Sequence, residues 1–289
     1  MSRLQAPVIG YTLGDQAGIG PEIMEAALRC VPAHAEYRAM GPRIDATPGC
    51  PTEQTARAAL EQLERAAAEL KEGRIDAVVT APICKEGLHR LGFCYPGQTE
   101  FFADRLGVTN FAMCLTGKHL TVALATTHVA LRDIPTLLRT EELVRVGGLL
   151  ADFLCSTGRT APRIALAGLN PHNGESGAFG DEESRIIAPA VAQLQAENHT
   201  AAFCGPCVPD CVYRDAAEGL YDAVVAPYHD QALIPLKMLD FDNAVNATLG
   251  MPRLRVSPDH GTAFGIAGKG LANPASTIRA FELALASVK

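Results

Sequence analysis

Three histidines follow short apolar runs and could together bind a metal ion. His128 comes after "VALATT", His172 after "IALAGLNP" and His229 after "AVVAPY". Three neutral imidazoles would form a divalent metal site with open coordination positions, as catalytic sites have. Each histidine taken alone fits an ordinary residue at a strand end. Because the same context occurs three times, the metal site is the favoured interpretation. Because an all-histidine set accepts several divalent ions, zinc, cobalt, manganese and magnesium all remain candidates.

The elements that would position these histidines are alternating strands and helices. The apolar runs at 120–128, 163–172 and 221–230 lack the alternation of a half-exposed strand, which favours a parallel sheet covered on both faces. Helical patterns at 140–154 and 181–197 lie between them. In a parallel α/β sheet, ligands bind outside the carboxyl ends of the strands, so the three histidines can converge on one point.

The stretch "TEQTARAALEQLERAAAELKEG" predicts an amphipathic helix over 52–73. Thr52 is a plausible N-cap, and Gly73 ends the pattern. The residues predicted to share one helical face are Ala56, Ala59, Leu60, Leu63, Ala67 and Leu70.

Composition limits the class of protein. With 289 residues and 48% hydrophobic content, the chain can form two α/β lobes or one large domain with a filled core. A net charge of -7 without a Lys/Arg-rich block argues against a nucleic-acid role. No apolar run reaches the roughly 18 residues of a membrane span, and the N-terminus lacks the apolar stretch of a signal peptide. We therefore expect a cytoplasmic protein with no membrane partner.

Nine cysteines in a chain of this size and class are expected to be reduced thiols. The segment "FCGPCVPDC" contains Cys204, Cys207 and Cys211, and a C-x-x-C can be a redox pair or half of a zinc site. Redox pairs normally open a helix after a strand, whereas proline and valine here indicate a loop. We expect these cysteines to be structural or incidental.

Standard nucleotide and hydrolase motifs are missing. The sequence has no G-x-x-x-x-G-K-[ST], H-E-x-x-H or G-x-S-x-G, and "GDQAGIGPE" is not spaced as G-x-G-x-x-G. Gly14, Gly18 and Gly20 of that stretch still allow a close backbone approach, and a helix starting at Pro21 could direct N–H groups toward an anion. A plain tight turn fits the glycines equally well.

The stretch "DHGTAFGIAGKGLANPAS" (259–276) is similar to the segment with which isocitrate and isopropylmalate dehydrogenases hold the adenosine of NAD(P). The whole chain resembles the 4-hydroxythreonine-4-phosphate dehydrogenase (PdxA) family of the same superfamily. The matching motifs are "GDQAGIGPEI", "VVTAPICKEGL", "GQTEFFAD", "VALATTHVALRDIP", "GLNPHNGESGAFGDEE", "GPCVPD", "YHDQALIPLK" and "VNATLGMPRLRVSPDHGTA".

The resemblance implies a fold and a domain division. The expected fold is two α/β/α lobes with a largely parallel sheet core and the active site in the cleft. The first lobe would be discontinuous, over 1–97 and 267–289, and the second, over 98–266, would carry the metal site. The family also leads us to expect a homodimer.

The resemblance also implies roles for single residues. The divalent metal would be held by the three histidines already named, so spacing and resemblance agree. The implied substrate-binding residues are Gln98, Thr99, Lys237, Asn246 and Arg255. The implied adenosine-binding residues are His260, Gly261, Ala263, Gly268 and Asn273. Candidates for the catalytic base are Lys85, Asp210 and Asp230.

The implied reaction is a metal-dependent oxidation of a hydroxy acid, 4-phosphohydroxythreonine, with NAD or NADP as hydride acceptor. The β-keto acid product then loses carbon dioxide. Gln98 stands where the family usually has histidine, and an amide cannot become cationic. A different acid, such as a cyclohexadiene diol carboxylate or a phosphorylated sugar acid, is therefore an alternative substrate.

Two other classes of protein remain in view. A metal-dependent hydrolase or aldolase could use three histidines without any nucleotide, and a lack of affinity for NAD would favour it. A non-catalytic two-lobed binding protein would fit the α/β pattern but would not need the histidine trio.

Overall fold

The computed structural model describes residues 6–288. The chain divides into two compact units, one formed by the residues up to Thr109 together with those from Val245 onward, the other by Asn110–Ala244. The domain limits expected from the sequence, 1–97 with 267–289 and 98–266, stay a prediction. None of the helices in the described part of the chain is long and apolar enough to cross a membrane.

The amino-terminal part of the first unit alternates strands and helices. Its elements are β1 (Val8–Tyr11), α1 (Gly20–Leu28), β2 (Glu36–Ala39), α2 (Glu53–Lys71), β3 (Ala77–Val79), α3 (Lys85–Arg90) and α4 (Gln98–Leu106). The helix start expected at Pro21 is confirmed within one residue, since α1 begins at Gly20.

Helix α2 confirms the prediction for 52–73. The Thr52 hydroxyl accepts a hydrogen bond from the Thr55 backbone N–H at 3.2 Å, and the Thr55 hydroxyl accepts one from the Thr52 N–H at 3.0 Å. This reciprocal pair is a capping box, which satisfies two N–H groups that have no partner inside the helix. Five of the six predicted face residues are buried, and Leu60 is half-buried.

The second unit contains the histidine-bearing runs. Its elements are β4 (Ala112–Thr116), β5 (Thr121–Leu124), α5 (Ile134–Leu137), α6 (Thr140–Ser156), β6 (Arg163–Ala167), α7 (Ala188–Glu197), β7 (Ala202–Cys207), α8 (Pro209–Ala217), β8 (Ala223–Ala226) and α9 (His229–Asp240). A short 3-10 helix at Leu131–Asp133 precedes α5, and a π-helical turn at Glu183–Ile187 leads into α7.

The strands of this unit follow the order β4-β5-β8-β6-β7. The pairs β5–β8, β8–β6 and β6–β7 are parallel, whereas β4 and β5 form an antiparallel hairpin. The parallel sheet expected from the apolar runs is therefore confirmed. The loop expected around Cys204 and Cys207 is wrong, because both lie in β7 and a helix begins at Pro209 directly afterwards.

The carboxyl-terminal part of the first unit adds β9 (Val245–Leu249), β10 (Arg255–Pro258), a 3-10 turn at Phe264–Ile266 and α10 (Ala275–Ala286). Its strands follow the order β2-β1-β3-β10-β9, in which β2, β1, β3 and β10 pair in parallel. Strand β9 pairs with β10 in the antiparallel direction. Strand β10 therefore brings a late part of the sequence next to β3.

Candidate active site

The three histidines follow three adjacent parallel strands. His128 lies beyond β5, His172 beyond β6, and His229 begins α9 after β8. Strand β8 lies between β5 and β6 and is parallel to both. The carboxyl ends of the three strands therefore meet at one edge of the sheet, as the sequence predicts.

His128 and His229 lie close together beside a cavity of about 340 Å³. Their ring centroids are 5.4 Å apart, and His229 Nδ1 lies 2.6 Å from Asp230 Oδ1. Two imidazoles bound to one zinc ion at about 2.0–2.1 Å would have ring centroids about 5 Å apart. Hydrogen bonding of Nδ1 to a carboxylate fixes a ligating ring and leaves Nε2 for the metal. This pair fits two positions of a metal site.

His172 is not part of that group. Within residues 6–288, no set of three or more His, Cys, Asp or Glu side chains is arranged to hold a metal ion. His172 lies in the segment Pro171–Gly177, where His172, Asn173, Glu175 and Ser176 all have positive φ, between 42° and 57°. Non-glycine residues rarely adopt this backbone conformation, which costs roughly 1–2 kcal/mol per residue. The predicted third ligand is thus near the strand ends but not gathered with the other two.

A buried carboxylate anchors the start of the loop that carries His172. Glu183 is 4% exposed, and its Oε1 accepts hydrogen bonds from the backbone N–H groups of Leu169 and Asn170 at 2.8 and 2.7 Å. Further along, the Asn173 amide donates to the Pro206 carbonyl at 2.8 Å. These contacts tie the loop to the turn that precedes α7 and to β7, even though its backbone conformation is unfavourable.

Arg255 is a buried cation at the start of β10. It is 2% exposed, its Nε and Nη2 donate to the Thr80 hydroxyl at 3.1 and 2.7 Å, and Nη1 lies 3.4 Å from the Thr99 hydroxyl. Burial lowers the pKa of Arg255 to about 9, which leaves the guanidinium charged at neutral pH. No carboxylate of the described residues lies within salt-bridge distance of Arg255, and only the more distant charge of Glu100 opposes the lowering of its pKa. A buried guanidinium whose hydrogen-bond partners are neutral hydroxyls can bind an anionic ligand group.

Two amide oxygens of the same unit are buried without a hydrogen-bond partner among the described residues, Gln98 Oε1 and Asn246 Oδ1. The Gln98 Nε2 donates to the Ala81 carbonyl at 3.1 Å, so the amide oxygen is the group left over. Thr99, next along α4, lies 3.4 Å from the Thr248 hydroxyl as well as near Arg255. Of the predicted substrate residues, Gln98, Thr99 and Arg255 therefore share one neighbourhood.

The glycine-rich "GDQAGIG" stretch packs on the predicted adenosine segment. The Ile19 N–H donates to the Thr262 carbonyl at 2.9 Å. A Cβ on Gly18 would lie 2.6 Å from that same carbonyl oxygen, which is closer than Cβ atoms approach other atoms in proteins. The two features that sequence analysis connected with a nucleotide are thus in direct contact, and Gly18 is required for the close approach.

The predicted adenosine-binding residues lie in an irregular, mostly exposed segment. His260 Nδ1 lies 3.1 Å from the Gly261 carbonyl, while its Nε2 is buried without a partner among the described residues. Ala263 has a φ of 45°, and Gly268 has a φ of 71° and packs on Pro48. Asn273 accepts a hydrogen bond from the Ala275 N–H at 3.0 Å, at the start of α10.

The candidate bases have different surroundings. Asp230 contacts His229 and lines the same cavity, although its side chain is 73% exposed. Asp210 is exposed in the first turn of α8, and Lys85 is exposed at the first position of α3. Lys237, a predicted substrate residue, lies on α9 with its Nζ 5.8 Å from the Phe241 ring centroid.

Sequence reasoning missed three residues of these neighbourhoods: Thr80, Asp15 and Glu183. Thr80 follows β3 directly, and its place after "AVV" was the available signal. Asp15 is 1% exposed, lines a second cavity of about 410 Å³, and has an Oδ2 without a partner among the described residues. Glu183 falls inside a predicted helical pattern, where nothing distinguishes it from a surface glutamate.

A family model described as "Pyridoxal phosphate biosynthetic protein PdxA" matches residues 20–284. A 4-hydroxythreonine-4-phosphate dehydrogenase of Bradyrhizobium diazoefficiens is 45% identical over 97% of this chain and 83% of the relative. A D-threonate 4-phosphate dehydrogenase of Pectobacterium atrosepticum is 38% identical over 96% of this chain and 98% of the relative.

Solved structures agree with the sequence matches. A 4-hydroxythreonine-4-phosphate dehydrogenase of Klebsiella pneumoniae superposes with a TM-score of 0.84 at 38% identity, covering 98% of this chain and 100% of that one. An isocitrate dehydrogenase of Methylococcus capsulatus shares the fold, with a TM-score of 0.53 at 15% identity over 97% of this chain and 87% of that one. The isocitrate dehydrogenase-like fold class is thus confirmed, and the chain belongs to the PdxA family of pyridoxal phosphate biosynthetic proteins.

Proposed function

We propose that this protein is an NAD(P)-linked dehydrogenase that oxidises a hydroxyl group of a small anionic acid, with 4-phosphohydroxythreonine as its substrate. The observation that carries this proposal is the buried Arg255, which has no carboxylate of the described residues within salt-bridge distance. Relatives named 4-hydroxythreonine-4-phosphate dehydrogenase, at 38–45% identity, support the same reaction. The β-keto acid product then loses carbon dioxide.

Arg255 binds an anionic group of the substrate. Burial destabilises its charged form, and an anion at this position restores the balance of charge. Phosphate and carboxylate both present two oxygens to a guanidinium, so either can be bound through two hydrogen bonds. Because Thr99 is only half-buried and lies beside Nη1, a ligand reaches Arg255 from that side.

Gln98 accepts a hydrogen bond from the substrate. Its Nε2 is committed to Ala81, which leaves Oε1 as an acceptor without a partner in the described chain. A phosphate dianion has no proton to donate, whereas an ammonium or hydroxyl group has. We therefore assign Gln98 to a donor group of the substrate and Arg255 to its anionic group, so the glutamine is compatible with a phosphorylated acid.

His128 and His229 would hold a divalent metal, and His172 would become the third ligand after a rearrangement of its loop. When bound, the metal supplies a positive charge that lowers the pKa of the substrate hydroxyl and stabilises negative charge on oxygen. The His229 ring is oriented by Asp230, which contacts its Nδ1. Asp230 is the candidate base closest to this cavity, and Lys85 and Asp210 are the alternatives.

The nucleotide, NAD or NADP, binds where the "GDQAGIG" stretch meets the 259–276 segment, and it supplies the acceptor for the hydride. The buried Nε2 of His260 offers a partner for a polar group of the adenosine. The main support is the contact between Ile19 and Thr262, which joins the two segments. Gly261, Ala263, Gly268 and Asn273 complete the proposed binding segment.

The protein functions as a homodimer. Ile234, Met238 and Phe241 are 60%, 81% and 72% exposed. Their spacing places them on one side of α9 and its carboxyl-terminal end, because residues three and four apart are neighbours on a helix. Large exposed apolar side chains in contiguous positions are typical of a protein interface. Sedimentation velocity of the purified protein tests the assignment, and a monomer at micromolar concentration would contradict it.

The substrate is tested by measuring NADH and NADPH formation with each divalent metal in turn. The acids to compare are 4-phosphohydroxythreonine, its unphosphorylated form, D-threonate 4-phosphate and a cyclohexadiene diol carboxylate. We expect turnover of the first acid, with weak activity when the phosphate is absent. Turnover of D-threonate 4-phosphate alone would keep the reaction and change the substrate, in line with the relative of that name. Turnover of no phosphorylated acid would contradict the proposal.

A further inference from the structure

Cys204 and Cys207 lie on the same side of β7 because of an irregularity in its pairing. In a regular strand, residues three positions apart point to opposite faces. Cys204 pairs with Ala165 and Cys207 with Ala167, so three steps along β7 match two steps along β6. The extra residue of such a bulge returns Cys207 to the face that carries Cys204. Two thiols that the sequence spacing would separate are therefore neighbours.

The two thiols are close and partly accessible. Cys204 Sγ and Cys207 Sγ are 3.9 Å apart, and Cys207 Sγ lies 4.0 Å from the Tyr221 hydroxyl. Both cysteines are half-buried against the core of their unit, on a strand at the end of the sheet order. A disulfide has an S–S length of about 2.05 Å, so the sulfurs would need to approach each other by about 2 Å.

The charge state of the pair favours reaction at neutral pH. The pKa of the Cys204 thiol is lowered to about 7, chiefly because the Cys207 thiol donates a hydrogen bond to it. The pKa of Cys207 is raised for the corresponding reason, since its proton is held by Cys204. A thiolate is the nucleophilic form of cysteine, so Cys204 is the attacking member and Cys207 the resolving one.

We propose that Cys204 and Cys207 are a reversible oxidation site that closes to a disulfide with peroxide as oxidant. The Cys204 thiolate attacks one oxygen of hydrogen peroxide, the O–O bond breaks, and the released hydroxide takes a proton to become water. The resulting sulfenic acid is attacked at sulfur by Cys207, its S–O bond breaks, and a second water leaves with the Cys207 proton. Two thiols and one peroxide thus give one disulfide and two waters.

The disulfide also affects the loop that carries His172. Pro206, between the two cysteines, accepts the hydrogen bond from the Asn173 amide at 2.8 Å, and the Cys207 carbonyl accepts one from the Gly168 N–H at 2.8 Å. Drawing the sulfurs together moves the backbone that carries both acceptors. We infer that oxidation weakens these two hydrogen bonds and thereby loosens the segment that contains Asn173. The effect on turnover rests on the proposed role of His172; the disulfide itself does not.

The test is disulfide mapping of the purified, reduced full-length protein after graded additions of hydrogen peroxide. Free thiols are blocked with N-ethylmaleimide, and peptides are identified by mass spectrometry before and after dithiothreitol. We expect a peptide in which Cys204 and Cys207 have lost two hydrogens and taken up no label, reverting with dithiothreitol. The variants C204S and C207S should lack it, and C94S, which removes an exposed cysteine of the other unit, should retain it.

Several outcomes would overturn the proposal. Full labelling of Cys204 and Cys207 at a peroxide concentration that oxidises Cys94 would show that the pair does not close. A disulfide from either cysteine to Cys211 or to a second molecule would assign different partners. Wild-type mapping decides the matter even if a serine variant fails to fold.

The coupling to the loop has its own measurement, hydrogen–deuterium exchange of residues 168–177 in the reduced and oxidised protein. We expect faster exchange in the oxidised protein, with recovery after dithiothreitol, and unchanged exchange would overturn the coupling. Dehydrogenase activity is then compared in both states. Inactivity of the reduced protein would count against the proposed function alone, whereas activity unaffected by a mapped disulfide would count against the coupling alone.

Discussion

The Arg255 neighbourhood and the histidine-bearing loops are built in opposite ways. Arg255 begins a strand, is 2% exposed and is held by hydroxyls of Thr80 and Thr99. His128 and His172 lie on loops after the strands, with φ of 27° and 52°, and of the three histidines His128 and His229 have rings in contact with each other. Burial holds the Arg255 side chain in place. The histidine-bearing loops have unfavourable backbone conformations, and His172 is not gathered with the other two histidines.

This difference indicates how each region works. A buried guanidinium on a strand cannot move far. In the proposed function the anion therefore comes to Arg255, and its binding recovers part of the free energy spent on burying the charge. Histidines on loops can move as a ligand binds, and unfavourable backbone conformations of this kind are concentrated at functional sites. We therefore expect anion binding to be preorganised and metal binding to be coupled to rearrangement of the His172 loop.

The largest effect is expected from His229→Ala. If His229 binds the metal as proposed, loss of its imidazole should lower metal affinity and NAD(P)H formation by more than about 100-fold, because even changes to residues that only orient the ligands cost 10- to 100-fold. Metal titration by calorimetry and steady-state rates measure both quantities. His199→Ala, at an exposed histidine of the same unit, is the control and should leave both unchanged. Equal metal affinity in the two variants would refute the assignment of His229.

Arg255→Met should weaken binding of the anionic substrate about 10- to 100-fold, which corresponds to the loss of about 1.5–3 kcal/mol of charged hydrogen bonding. The effect should be in KM more than in kcat, since the proposed function places Arg255 against the anionic group and not against the reacting hydroxyl. Arg253→Met, two positions earlier, removes a guanidinium that donates to the Leu70 carbonyl and should leave KM unchanged. An unaltered KM in Arg255→Met would show that Arg255 does not bind the anionic group of the substrate.

Cys204 and Cys207, like Arg255, are positioned by a strand and not by a loop. In the wild type, alkylation of Cys204 by iodoacetamide should rise with pH to a half-maximal rate near pH 7. Cys207→Ala removes the donor that lowers this pKa, so the midpoint should move toward the ordinary thiol value of about 8.5, and the rate at neutral pH should fall by more than about tenfold. Identical pH profiles in the two proteins would show that Cys207 does not stabilise the thiolate.

The smallest effect is expected from Glu183→Gln, which keeps the shape of the side chain and removes its charge. Glu183 accepts hydrogen bonds from the Leu169 and Asn170 N–H groups, and charged acceptors form the stronger bonds. The free energy of unfolding should fall by about 1 kcal/mol, with faster hydrogen exchange in residues 169–177. Urea denaturation measures the first quantity, with Glu197→Gln on an exposed glutamate as control. Unchanged exchange in the loop would show that Glu183 does not anchor it.

Much of this arrangement could be predicted from the sequence because it depends on local patterns. The helix at α2 follows from its apolar face and the Thr52 cap, and the histidines at strand ends follow from the continuous apolar runs. The end of a strand is marked by the end of its own apolar run. The sequence therefore predicts which residues lie at the carboxyl edge of the sheet.

Other features depend on contacts that local patterns do not encode. Arg255 donates hydrogen bonds to Thr80, which is 175 positions away in the sequence. The burial of the guanidinium therefore could not be predicted from "RLRVS". The proximity of Cys204 and Cys207 depends on a pairing shift relative to β6, which no spacing rule within β7 reveals. The positive φ of His172 is equally hidden, since "NPHNGESG" fits an ordinary turn.

The central claim is that a hydride passes from the substrate carbon to a nicotinamide. The most direct measurement uses 4-phosphohydroxythreonine with deuterium on the carbon that bears the oxidised hydroxyl, together with NAD or NADP and a divalent metal. Mass spectrometry of the nucleotide should show one deuterium in the reduced form. Product formed without deuterium in the nucleotide, as a hydrolase or an aldolase would form it, would contradict the account.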